Sequence, residues 1–411
     1  MNLRQRPMRL LILLVFLGML LPLILLFKNY PQQIPCGKIV HVSSHLTVPI
    51  NCDSSIFLQD ADNSKRLFDG TSTYSDRPLP AIIVLTLDKF IAKFRIPDRR
   101  VQIKGNSGSF YDYSQRKYAL FIFLNFLVLL SALIFTLKTL KETWDLENVS
   151  IFSILVAINA VLIIASNELI KTFIWTPHTQ LFNVLLPSFA FWEVGRTRQQ
   201  MTRLREIGPI LIFISVAMFF YPIFCLAAIP VLFMHYKNFR IRIILMGLAC
   251  LPYLSYPYFV RLFGGTYTNQ QAYKFREFLW VFDMFTGKSS FHLFSVKVFG
   301  FFRSLPIFPC LAISALTFVY LKFFANKKIN QDNIFNLQKT FILSYVLFLI
   351  GIGLGERRLT FGVILFTALS IFWRVSEIQV AGRTKRHLAL WLSFLADFQI
   401  LSFITTLGPL K

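Results

Sequence analysis

Four carboxylates fall within 17 positions, Asp60, Asp62, Asp69 and Asp76, and the stretch closes on Tyr74-Ser-Asp76-Arg77-Pro78-Leu79. A carboxylate within hydrogen-bond reach of a hydroxyl takes its proton as the oxygen attacks. An arginine fork grips a phosphate. The two residue types together suit group transfer from a phosphate-activated donor. Each of these aspartates is a candidate base, and Arg77 is a candidate phosphate ligand. The same aspartates also have the spacing of turn and helix-cap residues. Asp60-x-Asp62 is a pair that Mg or Mn would take. No His or Cys spacing suggests zinc, so no metal ligand is assigned.

Two further clusters carry usable groups. Lys171-Thr-Phe-Ile-Trp175-Thr-Pro177-His178-Thr-Gln180-Leu-Phe-Asn183 places His178 and Gln180 at the mouth of an apolar run, where they would line a polar cavity. Gly353-Leu-Gly-Glu356-Arg357-Arg358-Leu359 puts two arginines between two apolar runs. Arg357 and Arg358 suit either a lipid phosphate or snorkelling to the interface beside Glu356. Cys36 and Cys52 share one polar segment and would bridge in an oxidising compartment. Gly264-Gly265 reads as a turn, because no Gly-Lys-Ser/Thr follows.

The elements that must hold these groups are apolar helices. The chain has 411 residues, 55% hydrophobic and 15% charged, against about 25% charged in ordinary soluble domains. Several runs exceed the roughly 18 apolar residues that span a bilayer. The expected fold class is all-α: a polytopic membrane protein with about 10–11 transmembrane helices. A soluble enzyme, a disordered chain, a disulfide scaffold and a porin are excluded.

Residues 1–27 read as an anchor helix with a cytoplasmic N-terminus. Residues 28–117 form a first large extracytoplasmic loop, in which the run 79–94 is amphipathic and interfacial, because Asp88, Lys89 and Lys93 would be costly at mid-bilayer. Residues 118–260 form a transmembrane bundle, with the run 208–234 broken at Tyr221-Pro222. Residues 261–303 are a second extracytoplasmic segment, amphipathic over 278–302, and residues 304–411 hold the C-terminal transmembrane helices. The net charge of +23 collects in the loops this topology places inside, around Arg196–Arg205, Lys237–Arg242, Lys327–Lys339 and Arg383–Arg386. That reading needs no nucleic acid, and no P-loop or nucleic-acid motif is present.

The order of features resembles the C-fold (GT-C) glycosyltransferases, polytopic plasma-membrane enzymes that use a polyprenyl-phosphate-linked sugar. In them a first span leads into a large outer loop with an essential Asp, often before Ala, and a Tyr-x-x-Arg-Pro-Leu-type stretch follows. Asp60-Ala61 and Tyr74 to Leu79 match that order over about 25 residues, and topology carries the rest. The aromatic residue usually placed a few positions after the Asp is absent here, where Asn63, Ser64 and Lys65 stand, so Asp60 and Asp62 both stay open. The resemblance implies Asp60 as the leading base with Asp62 as its substitute, and Tyr74 beside Arg77 as a substrate ligand. The resemblance implies inverting transfer of a sugar from the lipid-linked donor to a glycan, lipid or protein acceptor on the extracytoplasmic face, with an Asp as general base. Polyprenyl phosphate leaves well, so no second carboxylic acid is needed. Two other readings suit a polytopic chain: a transporter or flippase, and a polysaccharide polymerase or ligase of envelope assembly. A transporter calls for ionisable residues at mid-membrane on several helices, whereas here they gather at one face.

Overall fold

The structure is a computed structural model that describes residues 5–24, 37–41, 47–104, 110–141, 151–196, 204–267, 290–304, 332–351, 357–376 and 382–405. It is all-α apart from two small hairpins. Helix α1 (Gln5–Ile24) precedes an antiparallel hairpin of β1 (Gly37–His41) and β2 (Thr47–Asn51). Strand β2 runs straight into α2 (Cys52–Asp62). Asn63 then caps a 3-10 turn, Ser64–Leu67, by accepting from the Lys65 amide.

Helix α3 (Pro78–Ala92) opens on a proline, whose missing N–H and fixed φ suit the first helical position. It covers most of the run 79–94 expected to be amphipathic; Asp88 lies on its buried side, and Phe90 and Phe94 at its far end are exposed. A second hairpin, β3 (Arg100–Lys104) with β4 (Phe110–Ser114), follows. Arg116 ties it back to α3: its Nε bonds Asp88 at 2.5 Å and its Nη1 the Ile96 carbonyl at 2.7 Å.

The bundle begins with α4 (Gln115–Lys141), which ends on Lys138 and Lys141, cations that suit a helix C-terminus. It continues through α5 (Ile151–Ala165), the short α6 (Glu168–Phe173) and α7 (Phe182–Arg196) to α8 (Leu204–Met218). The expected break at Tyr221-Pro222 is present. Pro222 has no N–H to continue the ladder, and a 3-10 turn, Pro222–Ala227, leads to α9 (Ala228–His235). Then come α10 (Phe239–Leu262), α11 (Ser290–Ser304), α12 (Asp332–Gly351), α13 (Arg357–Ser376) and α14 (Gly382–Thr405). The apolar run expected at 304–324 lies outside the described residues from 305 on.

Among the described residues two helices, α4 and α10, are long and apolar enough to cross a membrane. They differ in surroundings. Half of the most apolar stretch of α4 is buried, but only 17% of that of α10. Helix α4 packs on α7, where a Cβ on Gly195 would lie 2.4 Å from the Thr139 methyl. The main apolar core runs through α4, α5, α7, α9, α12 and α13. A second, smaller core joins α2, α3, β4 and the start of α4 through Phe57, Leu67, Val84, Tyr113 and Phe121. It is this smaller core that positions the polar cluster described next. Thr266, just beyond α10, binds back to it: its amide donates to the Phe68 carbonyl at 2.6 Å, and Asp69 pairs with Thr266 as a parallel bridge.

Candidate active site

Helix α2 presents Asp53, Phe57 and Asp60 at intervals of four and three residues, the spacing that places them on one face. Asp53 lies in the first turn, where the partial positive charge of a helix start favours a carboxylate. Phe57 is buried and stacks flat on Tyr74, with ring centres 4.6 Å apart, and meets His178 edge-on at 5.5 Å. One aromatic ring thus joins the helix that carries the aspartates to both the Tyr74 segment and the His178 loop.

The His178 loop is held from three sides. Asn125 on α4 donates from Nδ2 to the carbonyls of Phe173, Ile174 and Thr176 at 3.0, 3.1 and 2.8 Å. The Tyr118 hydroxyl binds the Trp175 carbonyl. The Trp175 indole N–H reaches the Pro22 carbonyl of α1 at 2.9 Å. The Gln180 amide N–H, which can only donate, binds His178 Nδ1 at 3.1 Å. The ring proton therefore sits on Nε2, which faces Asp53 Oδ2 at 3.3 Å. His178 is 1% exposed at its side chain and Asp53 33%. The imidazole is fixed and its carboxylate partner still reaches the surface.

Arg77 closes the other side. Its guanidinium is buried, donates from Nη1 to Thr179 Oγ1 at 3.1 Å, and pairs with Asp76 at 3.5 Å. It lies 5.3 Å from the ring centres of both Tyr74 and Tyr221. Beyond it, Gln180 Oε1 accepts from Asn183 Nδ2 at 2.7 Å and from the Tyr221 hydroxyl at 3.3 Å. The Tyr345 hydroxyl of α12 donates to Asn183 Oδ1 at 3.4 Å. Of the residues expected from sequence, Tyr74, Arg77, His178 and Gln180 come together here.

The two leading aspartates have other occupations. Asp60 is fully buried, and its two oxygens accept from Ser72 Oγ at 2.5 Å and Arg66 Nε at 3.2 Å. Burial pushes its carboxyl above the usual range, against the opposing pull of Ser72 and Arg66. Asp62 forms an ion pair with Lys117 at the start of α4. Each carboxylate of the Asp60-x-Asp62 pair thus faces a different protein cation, which does not suit a shared Mg or Mn. Asp69 is exposed and shapes a turn, with its Oδ1 accepting from the Thr71 amide at 2.9 Å and the Thr71 hydroxyl at 2.6 Å. Those bonds lower its pKa. Among the described residues no three His, Cys, Asp or Glu side chains are grouped to hold a metal.

The side chains of Arg357 and Arg358, and the Cys36–Cys52 pairing, lie outside the described residues. Sequence reasoning missed Asp53. Its signal is the run Asn51-Cys52-Asp53-Ser54-Ser55, polar residues at a helix start, four residues before Phe57.

A cavity of about 240 Å³ opens beside His178 and Thr179 and continues between α4, α7 and α8 along Phe121, Leu124, Phe182 and Phe213. His178, Thr179, Asn125 and Ser131 are its polar lining, and the rest is apolar. The arrangement therefore holds a partly exposed proton acceptor, a buried fixed cation and an apolar channel on adjoining residues. The chain matches no family model, no curated protein and no solved structure.

Proposed function

We propose that the chain is a polytopic membrane glycosyltransferase of the C-fold type, taking a sugar from a polyprenyl-phosphate donor on the extracytoplasmic face of the plasma membrane, with its N-terminus in the cytoplasm. The observation that carries this reading is the Asp53–His178 pair beside buried Arg77, with His178 and Thr179, the partners of Asp53 and Arg77, lining an apolar cavity. Asp53 takes the part expected of Asp60, since Asp60 is enclosed and both its oxygens are occupied. Exposed Leu248, Leu251, Leu254 and Leu262 along α10 support a lipid surround, because soluble surfaces rarely carry so long an apolar face.

The acceptor hydroxyl gives its proton to the Asp53 carboxylate as its oxygen attacks the anomeric carbon. The bond from that carbon to the phosphate oxygen breaks, and polyprenyl phosphate leaves with the bonding pair. His178 Nε2–H holds Asp53 in line, and Arg77 meets the charge that grows on the phosphate. One displacement inverts the anomeric configuration. The prenyl chain runs down the apolar cavity.

Arg357 and Arg358 are a second source of positive charge. They open α13, five residues before Gly362, which sits against the Tyr345 hydroxyl. That is about 7 Å along a helix axis, at the end of the bundle that holds Asn183.

Lipid mass spectrometry on cells lacking the gene tests the reading. A polyprenyl-phosphate sugar accumulates without the protein and is cleared by the wild-type chain. Unchanged carrier-linked sugars in the deletion strain would remove the transferase reading.

A further inference from the structure

Helix α10 ends at Leu262 beside the segment that carries the polar cluster, since Gly265 and Thr266 bind Val260 and Phe68 there. Its 24 residues rise about 1.5 Å each, so its first turn lies about 36 Å away along its axis. At that far end a groove of about 330 Å³ opens between α9, α10 and α12, lined by Phe233, Ile243, Met246, Leu343 and Leu347. Phe239, Ile243, Leu343 and Leu347 are all more than half exposed. The groove is an open apolar slot, lying within the face that a lipid surround would cover.

Its rim is basic. Arg242 lines the groove, and its guanidinium is fixed: Nε donates to the Tyr236 carbonyl at 2.5 Å, Nη2 to the Phe233 carbonyl at 3.4 Å, and the group lies 4.2 Å over the Phe233 ring. A guanidinium has five N–H donors, so these carbonyls do not exhaust it. Exposed Lys237 and Arg240 stand in the same turn. The sequence holds no acidic residue between Glu206 and Glu277, so α9 and α10 supply no carboxylate to neutralise the three cations. Leu343, Ser344 and Leu347 supply none from α12.

An apolar slot with a fixed cation at its lip matches an amphiphile with an anionic head. We propose that this groove binds one anionic phospholipid, with an acyl chain between α9, α10 and α12, its phosphate on Arg242, and Lys237 and Arg240 beside it. The site is separate from the Asp53 cluster. It rests on the chain residing in a membrane and is independent of which reaction the other end performs. Basic pockets between membrane helices hold anionic headgroups by this combination of charge and burial.

Native mass spectrometry of the full chain in neutral detergent tests the site. The probes are phosphatidylglycerol and phosphatidylcholine with identical chains, with inorganic phosphate as competitor. One phosphatidylglycerol is retained in preference to phosphatidylcholine, and inorganic phosphate does not displace it. Arg242 also caps α9, so the charge variant is Lys237→Gln with Arg240→Gln at exposed positions. It weakens retention by about fivefold per charge removed. Leu343→Trp fills the slot and weakens it without altering charge. Equal retention of the two lipids, full displacement by inorganic phosphate, or no effect of either variant would overturn the site. None of these outcomes touches the transferase reading, because no sugar donor is present.

Discussion

Asp53→Asn and Asp60→Asn make the same chemical change seven residues apart on one helix, and the proposed mechanism assigns them opposite consequences. At position 53 the amide oxygen still accepts from His178 Nε2–H, because the Gln180 amide fixes that tautomer. The packing of Phe57 on Tyr74 and His178 is untouched, so the fold survives. What is lost is the proton acceptor. A positioned general base contributes roughly 10²–10⁴-fold, or about 3–5 kcal/mol of transition-state stabilisation at about 1.36 kcal/mol per tenfold.

At position 60 the carboxylate is fully buried and its oxygens are held by Ser72 and Arg66. Asn keeps one acceptor there, and the Ser72 hydroxyl rotates to accept from the new amide. The net cost is one hydrogen bond, about 1 kcal/mol of stability, with transfer near the wild-type rate. The assay uses the carrier lipid that accumulates in cells lacking the gene as donor for purified protein, and follows its loss by mass spectrometry alongside a melting curve. Transfer by Asp53→Asn within tenfold of wild type, with Asp60→Asn down a hundredfold or more and still folded, would refute the assignment of the base to Asp53.

The Asp60 carboxyl is pushed above its ordinary value of 3.8 by burial, so the folded chain keeps a proton that the unfolded chain releases. Wild-type stability therefore falls as pH rises from that value through the raised one, and is level above it. The melting-temperature difference between Asp60→Asn and wild type shifts in favour of the variant across that window; a difference independent of pH would contradict the burial. Gly362→Ala sets a methyl 2.6 Å from the Tyr345 hydroxyl and so displaces it from Asn183. About 1–3 kcal/mol of overpacking should appear in thermal melts, and Tyr345→Phe in the same background should restore part of it. Gly70 has φ +82° and Thr266 packed 2.9 Å from where a Cβ would stand. Gly70→Ala should cost about 1–2 kcal/mol and raise amide exchange at Thr266, whose N–H binds Phe68.

Much of the frame is legible in the chain. Pro78 marks the start of α3, and Pro222 follows α8 where its missing N–H cannot continue the ladder, although Pro252 and Pro257 lie inside α10. The apolar runs became helices wherever they are described. The hairpins at 37–51 and 100–114 were not anticipated, since their short strands, such as Arg100-Val-Gln-Ile-Lys104, occur in a stretch otherwise polar and turn-rich. Tyr74, Arg77, His178 and Gln180 stood out by residue type beside apolar runs. Asp53 did not, because what singles it out is His178, which is 125 residues away in sequence. Asp60 stood out for the converse reason: the Asp-Ala dipeptide says nothing of Ser72 and Arg66, which hold its two oxygens.

The hydrogen bond from Tyr345 to Asn183 spans 162 residues, which orders events during synthesis. At about 5–20 residues per second, Asn183 is made roughly 8–30 s before its partner on α12. Helices α7 to α11 are completed in that interval, and Gln180 and Tyr221 can already gather around Asn183. Its side-chain oxygen, buried in the finished protein, acquires Tyr345 only when the last third of the chain arrives. The polar cluster is thus a late product of assembly, and a nascent chain halted before α12 would hold the Asp53–His178 pair with the wall behind it unfinished.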